Sequence, residues 1–172
     1  KGLVAHETSV LLAKDYGTVP EAMYQDVPIH LDTDTLRKYH WLVDESVFDS
    51  DGMEILASTS GVLTNKLRQV VSGGIYAEDG STHIIHTHKA DMLKEVVEQA
   101  QGSPILCPIN FLFEVDLIQK VLGYEVPCIH GKTSQEEKSR LLNLWDKGLL
   151  PLLLCHPASL SHGLNMQTGG HI

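Results

Sequence analysis

The chain has 172 residues, 42% of them hydrophobic and 20% charged, which are the proportions of a globular domain. Its 14 glycines and 7 prolines exclude a collagen-like or low-complexity chain, and its apolar runs are too short to span a bilayer. The formal net charge of −9 excludes a broad positive field, so any nucleic-acid contact has to be local. Three cysteines without a CxxC pair favour reduced thiols in a cytoplasmic protein, with a nuclear one as the alternative.

The first 88 residues predict a lead-in followed by a helical connector region. Residues 1–25 begin with Lys rather than Met and lack a signal-peptide pattern, so we interpret them as a linker in a piece of a longer protein. Residues 26–31 alternate in polarity, which predicts a strand at a sheet edge. Residues 32–33 can cap a helix that ends at 49–52, a second helix ends at 73–74, and residues 75–85 predict a hairpin. The apolar sides of the two helices are expected at Leu36, Tyr39, Val43 and Val47, and at Leu56, Leu63, Leu67, Val70 and Val71.

Residues 89–172 alternate regularly between helical and strand patterns. Short apolar strands are predicted at 105–109, 125–129 and 152–155, with a fourth beginning at 171–172. Because these strands are apolar on both faces and are separated by helices, they predict an α/β domain with a parallel sheet covered on both sides. The sequence SQEE at 134–137 predicts a capping box. Each of the first three strands contains one cysteine, which we interpret as core filler.

Three loops follow the strands at the edge where parallel sheets bind ligands: residues 110–113, 130–134 and 156–167. The second, HGKTS, lacks the upstream glycine of a Walker A loop, so the chain supplies no triphosphate cradle. Its Lys132 is the one cation in these loops, and the hydroxyls of Thr133 and Ser134 and the start of a helix follow it directly. Such groups can bind a phosphate, although a helix with an ordinary N-cap is the alternative. Gly163 and Asn165 would let the backbone approach a nucleotide, or would simply form a turn into a helix.

The histidines form two groups. His83, His86 and His88 lie within six residues of one another, a density that could indicate a zinc site. However, His83 and His86 would point to opposite faces of a strand, and no cysteine lies nearby to complete a ligand set. We therefore expect solvated hairpin histidines. The second group, on the ligand edge, shows no Ser–His–Asp order and consists of His130, His156 and His162.

Several segments follow one another in an informative order. They are residues 15–20 (DYGTVP), 63–74 (LTNKLRQVVSGG), the helix start at 89, 105–118 (ILCPINFLFEVDLI), 130–134 with Arg140 downstream, and 154–167 (LCHPASLSHGLNMQ). Together they resemble the second RecA-like lobe of superfamily-2 helicases, most closely the Swi/Snf-type helicase-like ATPases, including phage and bacterial members. The resemblance covers residues 15–172.

This resemblance implies a RecA-like three-layer α/β/α fold with a mainly parallel sheet. It also implies a parent protein that hydrolyses ATP with magnesium between two lobes while moving on DNA, with RNA as the alternative. The implied nucleic-acid contacts are Gly131, Lys132, Thr133, Ser134, Arg140 and Ser159. The implied nucleotide-facing residues are Gly163, Asn165 and Gln167.

The chain departs from the family pattern in three ways. The first lobe, with Walker A and the acidic metal-binding box, is absent, and the arginine-bearing motif VI would begin only after residue 172. Leu160 and Ser161 stand where the family often has paired glycines. We therefore expect a monomer with no catalytic residue of its own and no tightly bound ATP or magnesium, whose partner is the missing N-terminal lobe. Two alternatives remain: a stand-alone module for a small phosphate ligand, and a metal-independent hydrolase using the His156/Ser159 region.

Overall fold

The computed structural model describes residues 23–50, 53–160 and 166, and this part of the chain forms six helices and seven strands. The helices are α1 (Thr33–Glu45), α2 (Ser60–Val71), α3 (His88–Gln99), α4 (Phe113–Leu122), α5 (Gln135–Asp146) and α6 (Pro157–Leu160). The strands are β1 (Val47–Ser50), β2 (Met53–Leu56), β3 (Gly74–Tyr76), β4 (Thr82–Ile84), β5 (Ile105–Pro108), β6 (Cys128–Ile129) and β7 (Leu152–Cys155). None of the described helices is long and apolar enough to cross a membrane.

A parallel sheet forms the centre of the second half, as the alternating pattern predicts. Its strand order is β5-β7-β6, and all four residues of the central strand β7 are buried. Ile105 and Leu154 pack with α3 and α4 in one apolar cluster, whereas Leu153 packs with Trp145 of α5 in another. Because neighbouring β7 residues enter different clusters, the sheet is covered on both faces. The predicted α/β class with a parallel sheet is therefore confirmed.

The expected strand at 26–31 is wrong. Residues 23–32 have no regular secondary structure, and the side chains of 23–30 are exposed. Alternation alone does not make a strand, because the backbone needs a neighbour with which to share its hydrogen bonds. In the described part of the chain no strand pairs with this segment. Val27 and Ile29 remain 43% and 39% exposed, so the apolar period here does not mark a buried face.

The first predicted helix is confirmed at its start and wrong at its end. Asp32 caps α1 by accepting a hydrogen bond from the Thr35 backbone N–H at 2.9 Å. The helix stops at Glu45, and Asp49 and Ser50 of the expected terminator at 49–52 lie in β1, which pairs with β2 in an antiparallel sheet; residues 51–52 lie outside the described residues. Asp-Gly between apolar runs is a hairpin signal that the helical interpretation overlooked. Its predicted apolar face is correct at Tyr39, which packs against the buried cluster, but wrong at Leu36 and Val43, which are exposed, and it omits the fully buried Leu42.

Most of the remaining elements match the sequence expectations. The second helix ends at Gly73-Gly74 as predicted, although it begins at Ser60, with Leu56 in β2. Strands β3 and β4 form the predicted hairpin. The strand predicted at 125–129 is reduced to the two residues of β6. The expected strand start at 171–172 lies outside the described residues.

The connector region packs tightly against the sheet domain at Gly73. This glycine has φ of +101°, and a Cβ there would lie 2.6 Å from the carbonyl oxygen of His86 and 2.9 Å from Leu117 of α4. The close approach brings the chain after β4 back over the end of α2, and the backbone N–H of Ile85 donates to the Gly73 carbonyl at 2.8 Å. A side chain at this position would both strain the backbone and separate the two parts.

His86 is buried at this junction, contrary to the expectation of a solvated hairpin histidine. Its Nε2 lies 2.9 Å from the Val70 carbonyl oxygen, so that nitrogen carries the proton, and the buried Nδ1 has no hydrogen-bond partner. Its ring stacks on His88, with centroids 4.8 Å apart, and His88 in turn contacts Asp32 at 3.0 Å. Burial lowers the pKa of His86, and the neighbouring His88 lowers it further.

We expect the free energy of unfolding to fall as the pH is lowered through about 6.5, the pKa of an unperturbed histidine. Below that pH the unfolded chain binds a proton at position 86, whereas the folded chain resists it, so protonation favours unfolding. Urea titrations between about pH 5 and 7 measure this slope. His86→Gln should flatten it, whereas His83→Gln, which removes an exposed histidine of the neighbouring strand β4, should not. An equal flattening by both variants would contradict the assignment to His86.

Candidate functional site

The ends of the three parallel strands bring three loops to one edge of the sheet. Residues 110–112 follow β5, residues 130–134 follow β6, and β7 leads directly through His156 into α6. Two backbone hydrogen bonds of 2.8 Å continue the ladder past the strand ends, from the N–H of Ile109 to the Cys155 carbonyl and from the N–H of His156 to the Ile129 carbonyl. The loops therefore start from a fixed base, and we call this region the ligand edge.

The loop at 130–134 is organised by the hydroxyl of Thr133. This oxygen accepts from the His130 backbone N–H at 3.0 Å and is 3.4 Å from the Cys128 carbonyl, to which it donates. The Thr133 N–H returns a 2.9 Å bond to the His130 carbonyl. Sequence reasoning expected the hydroxyl to face a ligand, but in this structure its proton closes the turn. What Thr133 contributes to the ligand edge is the shape of the loop.

Lys132 and Gly131 occupy the exposed tip of this loop. The backbone N–H of Lys132 donates to Nδ1 of His130 at 3.2 Å, which fixes the tip above the sheet. The ammonium group of Lys132 forms no ion pair with any residue in the described ranges. It is therefore available to an anion from solution.

Ser134 ends the loop as the N-cap of α5, accepting from the Glu137 backbone N–H at 3.1 Å. Only this half of the predicted capping box forms. The Glu137 carboxylate instead accepts two bonds of 2.7 Å from Arg140, and this bidentate pairing lowers the pKa of Glu137. The predicted nucleic-acid contact Arg140 is thus an exposed arginine already paired with a carboxylate.

The third loop begins with His156 and the short helix α6. Ser159 is half-buried, and its carbonyl accepts a 2.6 Å hydrogen bond from Lys138 of α5. Ser159 and His156 are joined through their backbones, N–H to carbonyl at 2.8 Å, and no side-chain hydrogen bond joins them. The nucleophile and base of the hydrolase alternative are therefore not assembled. His162, Gly163, Asn165 and Gln167 lie outside the described residues.

Sequence reasoning missed Glu114, which organises the loop after β5. Only 2% of this residue is exposed, yet its carboxylate accepts three hydrogen bonds. The donors are the backbone N–H groups of Asn110 at 2.8 Å and Phe111 at 2.9 Å, and the Lys89 ammonium at 2.6 Å. Lys89, which the resemblance identifies only as a helix start, is the counter-charge that makes this burial tolerable. An acidic residue in a first helical turn is common, so no sequence signal marked it as buried.

A second cation reaches the ligand edge from outside the loops. Arg68, in the last turn of α2, donates to the side-chain oxygen of Asn110 at 3.0 Å, and its guanidinium carbon lies 6.0 Å from the centroid of the Phe111 ring. Phe111 stacks almost parallel on the buried Phe113, with centroids 5.4 Å apart. Lys132 is the one cation within the sequence of the three loops, but it is not the one cation at the ligand edge. The connector supplies another.

Within the part of the chain that the structure describes, the remaining reactive side chains form no second site. Burial raises the pKa of Cys107 to about 12 and that of Cys128 to about 11, so both thiols stay protonated and unreactive at neutral pH. Among the described residues, no three His, Cys, Asp or Glu side chains are grouped closely enough to hold a metal ion. An apolar cleft of about 380 Å³ lies between β5, α3 and α4, with Lys89 and Glu114 among its lining residues.

Comparison with known proteins gives one distant relationship. The chain is 30% identical over 166 residues to "Putative protein p41" of Acyrthosiphon pisum secondary endosymbiont phage 1. The match covers 96% of this chain and 35% of that protein, so the chain spans about a third of the length of its relative. No protein-family profile matches the chain. No solved structure gives a significant match.

We expect Glu114→Gln to lower the free energy of unfolding by about 1–3 kcal/mol, because a neutral amide replaces a buried acceptor of three bonds and leaves Lys89 without its counter-charge. Asp116→Asn, the same change at an exposed position of α4, should cost less than about 0.5 kcal/mol. Chemical denaturation of both variants measures the difference. Equal stabilities would contradict the organising role of Glu114.

Proposed function

We propose that the chain is the C-terminal motor lobe of an ATP-dependent DNA helicase or translocase of the Swi/Snf type. In this role the ligand edge contacts the nucleic-acid backbone and contributes one side of an ATP site shared with a separate N-terminal lobe. The observation that carries the proposal is the convergence of all three post-strand loops on one edge of a parallel sheet. These are the segments whose order resembles the family, and open parallel sheets bind their ligands at that edge.

The assignment of a RecA-like three-layer fold is part of the same proposal. Helices α3 and α4 cover one face of the sheet and α5 covers the other, an arrangement compatible with a RecA-like three-layer lobe. Two antiparallel hairpins and two helices precede it, which fits the proposed connector between lobes. The phage relative, about three times as long as the matched region, leaves room for a further lobe in a protein of that kind.

The chemistry expected of the lobe is positioning and electrostatics. In phosphoryl transfer, the triphosphate charge is neutralised by a Walker lysine, magnesium and arginine fingers. The sequence has no Walker A loop, so the lobe would contribute contacts to a nucleotide held mainly by its partner. Gly163, Asn165 and Gln167 remain the proposed nucleotide-facing residues, and Gly131, Lys132 and Ser134 the proposed backbone contacts. Thr133 would act by holding the loop in shape.

A small phosphate ligand bound by a stand-alone module is the second candidate. It rests on the same loop, where the exposed Lys132 lies next to the capped start of α5. The two candidates differ in what the loop recognises, because a motor lobe binds a polymer whereas a module binds a free anion. The hydrolase alternative has less support, since His156 and Ser159 share only a backbone contact.

We expect the purified chain to show no ATP hydrolysis and only weak binding to DNA, lost at physiological salt. With a net charge of −9, few phosphates can be neutralised, and binding of this kind weakens steeply as salt rises. Steady-state ATPase assays and salt-titrated DNA binding measure both properties. Robust ATP turnover that His156→Ala abolishes would overturn the motor-lobe proposal in favour of a hydrolase.

We expect Thr133→Ala to weaken binding of DNA at low salt, because loss of the hydroxyl opens the turn that presents Lys132. Thr133→Ser keeps the hydroxyl and should bind as the unaltered chain does. The two hydrogen bonds at stake are worth about 0.5–1.5 kcal/mol each. Fluorescence anisotropy with a labelled oligonucleotide compares the variants. Equal affinity of the alanine and serine variants would contradict this role.

A further inference from the structure

Arg68 has an unusual environment for an exposed arginine. Arg68 takes part in none of the salt bridges of the described ranges, so no carboxylate there lies within ion-pair distance of its guanidinium group. The arginines at 37 and 140, by contrast, are each paired with an acidic residue one helical turn earlier. An exposed arginine held without a carboxylate keeps its full charge available to a ligand.

The guanidinium group of Arg68 is nevertheless held in place. One of its nitrogens donates to the Asn110 side-chain oxygen at 3.0 Å, and its carbon lies 6.0 Å from the Phe111 ring centroid. Both of these residues are fixed by their own N–H groups, which donate to the buried carboxylate of Glu114. Because a neutral amide and an aromatic ring orient the group, its position is defined without loss of charge.

Arg68 also lies where a polymer crossing the ligand edge would pass. Asn110 follows β5, and Lys132 follows β6, with the single strand β7 between them. Two strand spacings of about 4.8 Å separate the bases of these loops, which is about 10 Å. A nucleic-acid strand carries one phosphate per nucleotide, so a strand that crosses both loops can present phosphates to both cations.

We propose that Arg68 is an anion-binding residue that contacts a phosphodiester of a nucleic-acid strand lying across the ligand edge. The inference rests on the proposed function and extends it, because it assigns a nucleic-acid contact to helix α2 of the connector. Arginine suits this role because its planar fork of N–H donors matches the oxygens of a phosphate. Asn110 and Phe111 are positioning residues for that contact.

The test measures binding of the complete chain to a labelled short single-stranded DNA, and to RNA of the same sequence, as the salt concentration is raised from about 20 mM. Arg68→Gln removes the charge while retaining a side chain that can donate to Asn110. We expect it to weaken binding about three- to tenfold at the lowest salt. The slope of log affinity against log salt should fall by about 0.7, as for the loss of one contact to a single strand.

Arg37→Gln is the matched control, since it removes the same charge from an exposed arginine that pairs with Asp34. It should leave the salt slope unchanged. Arg68→Lys keeps the charge without the planar fork and should retain the slope of the unaltered chain with lower affinity. Thermal unfolding of each variant verifies that it folds. Amide NMR spectra of the unaltered chain should show Asn110 and Phe111 shifting together as the oligonucleotide is added.

The results distinguish failure of the Arg68 assignment from failure of the motor-lobe proposal on which it rests. Weaker binding by Arg68→Gln but not by Arg37→Gln supports the phosphodiester contact, with DNA and RNA arms identifying the polymer. If Lys132→Gln weakens binding and Arg68→Gln does not, the Arg68 assignment is overturned and the motor-lobe proposal stands. If the unaltered chain does not bind, or if neither Lys132→Gln nor Arg68→Gln weakens binding, both the Arg68 assignment and the motor-lobe proposal are overturned. An equal NMR response to inorganic phosphate alone would overturn the assignment to a polymer.

Discussion

The ligand edge depends on one buried carboxylate. Glu114 accepts the N–H groups of Asn110 and Phe111 and the ammonium group of Lys89, so a single side chain of α4 ties the end of β5 to α3. Asn110 then holds Arg68 of α2, which links the connector to the same point. A buried charge is costly unless every acceptor site is used. Here that constraint fixes the backbone of the loop, and the loop in turn fixes the direction of the exposed arginine.

The sequence predicted the second half of the chain well because its signals are periodic and local. Apolar runs such as Leu152–Cys155, bounded by turn residues and separated by helical stretches, determine a parallel sheet with little dependence on distant contacts. The first half was harder, since residues 26–31 have the alternation of a strand but no partner. Residues 49–52 have the composition of a helix terminator, although Asp49 and Ser50 belong to strand β1. In both segments the deciding factor was pairing, which no short window of sequence contains.

The candidate site was predictable as a place but not as a set of contacts. The edge followed from the strand order, and Lys132 followed from the loop that it occupies. Glu114 and Arg68 could not be found in this way, because their roles depend on pairs separated by 25 and 42 residues. The ligand contacts proposed for Thr133 and Arg140 stay predictions, and the structure adds local partners to both residues. In the fold, local hydrogen bonds engage the hydroxyl of the first and the charge of the second.

Electrostatics explains how a chain of net charge −9 can still present available cations at this edge. Two carboxylates beside the loops are neutralised within the fold, Glu114 by Lys89 and Glu137 by Arg140, whereas the exposed Glu136 in the first turn of α5 is in no salt bridge of the described ranges. Screening in water removes the influence of acidic residues more than about 10 Å away at ordinary salt. The charge that a ligand meets at the edge is therefore set by nearby groups outside any ion pair of the described ranges, the cations Arg68 and Lys132 and the carboxylate of Glu136, and not by the net charge of the chain. Net charge limits the strength of such binding, whereas the pairing of individual carboxylates decides where it occurs.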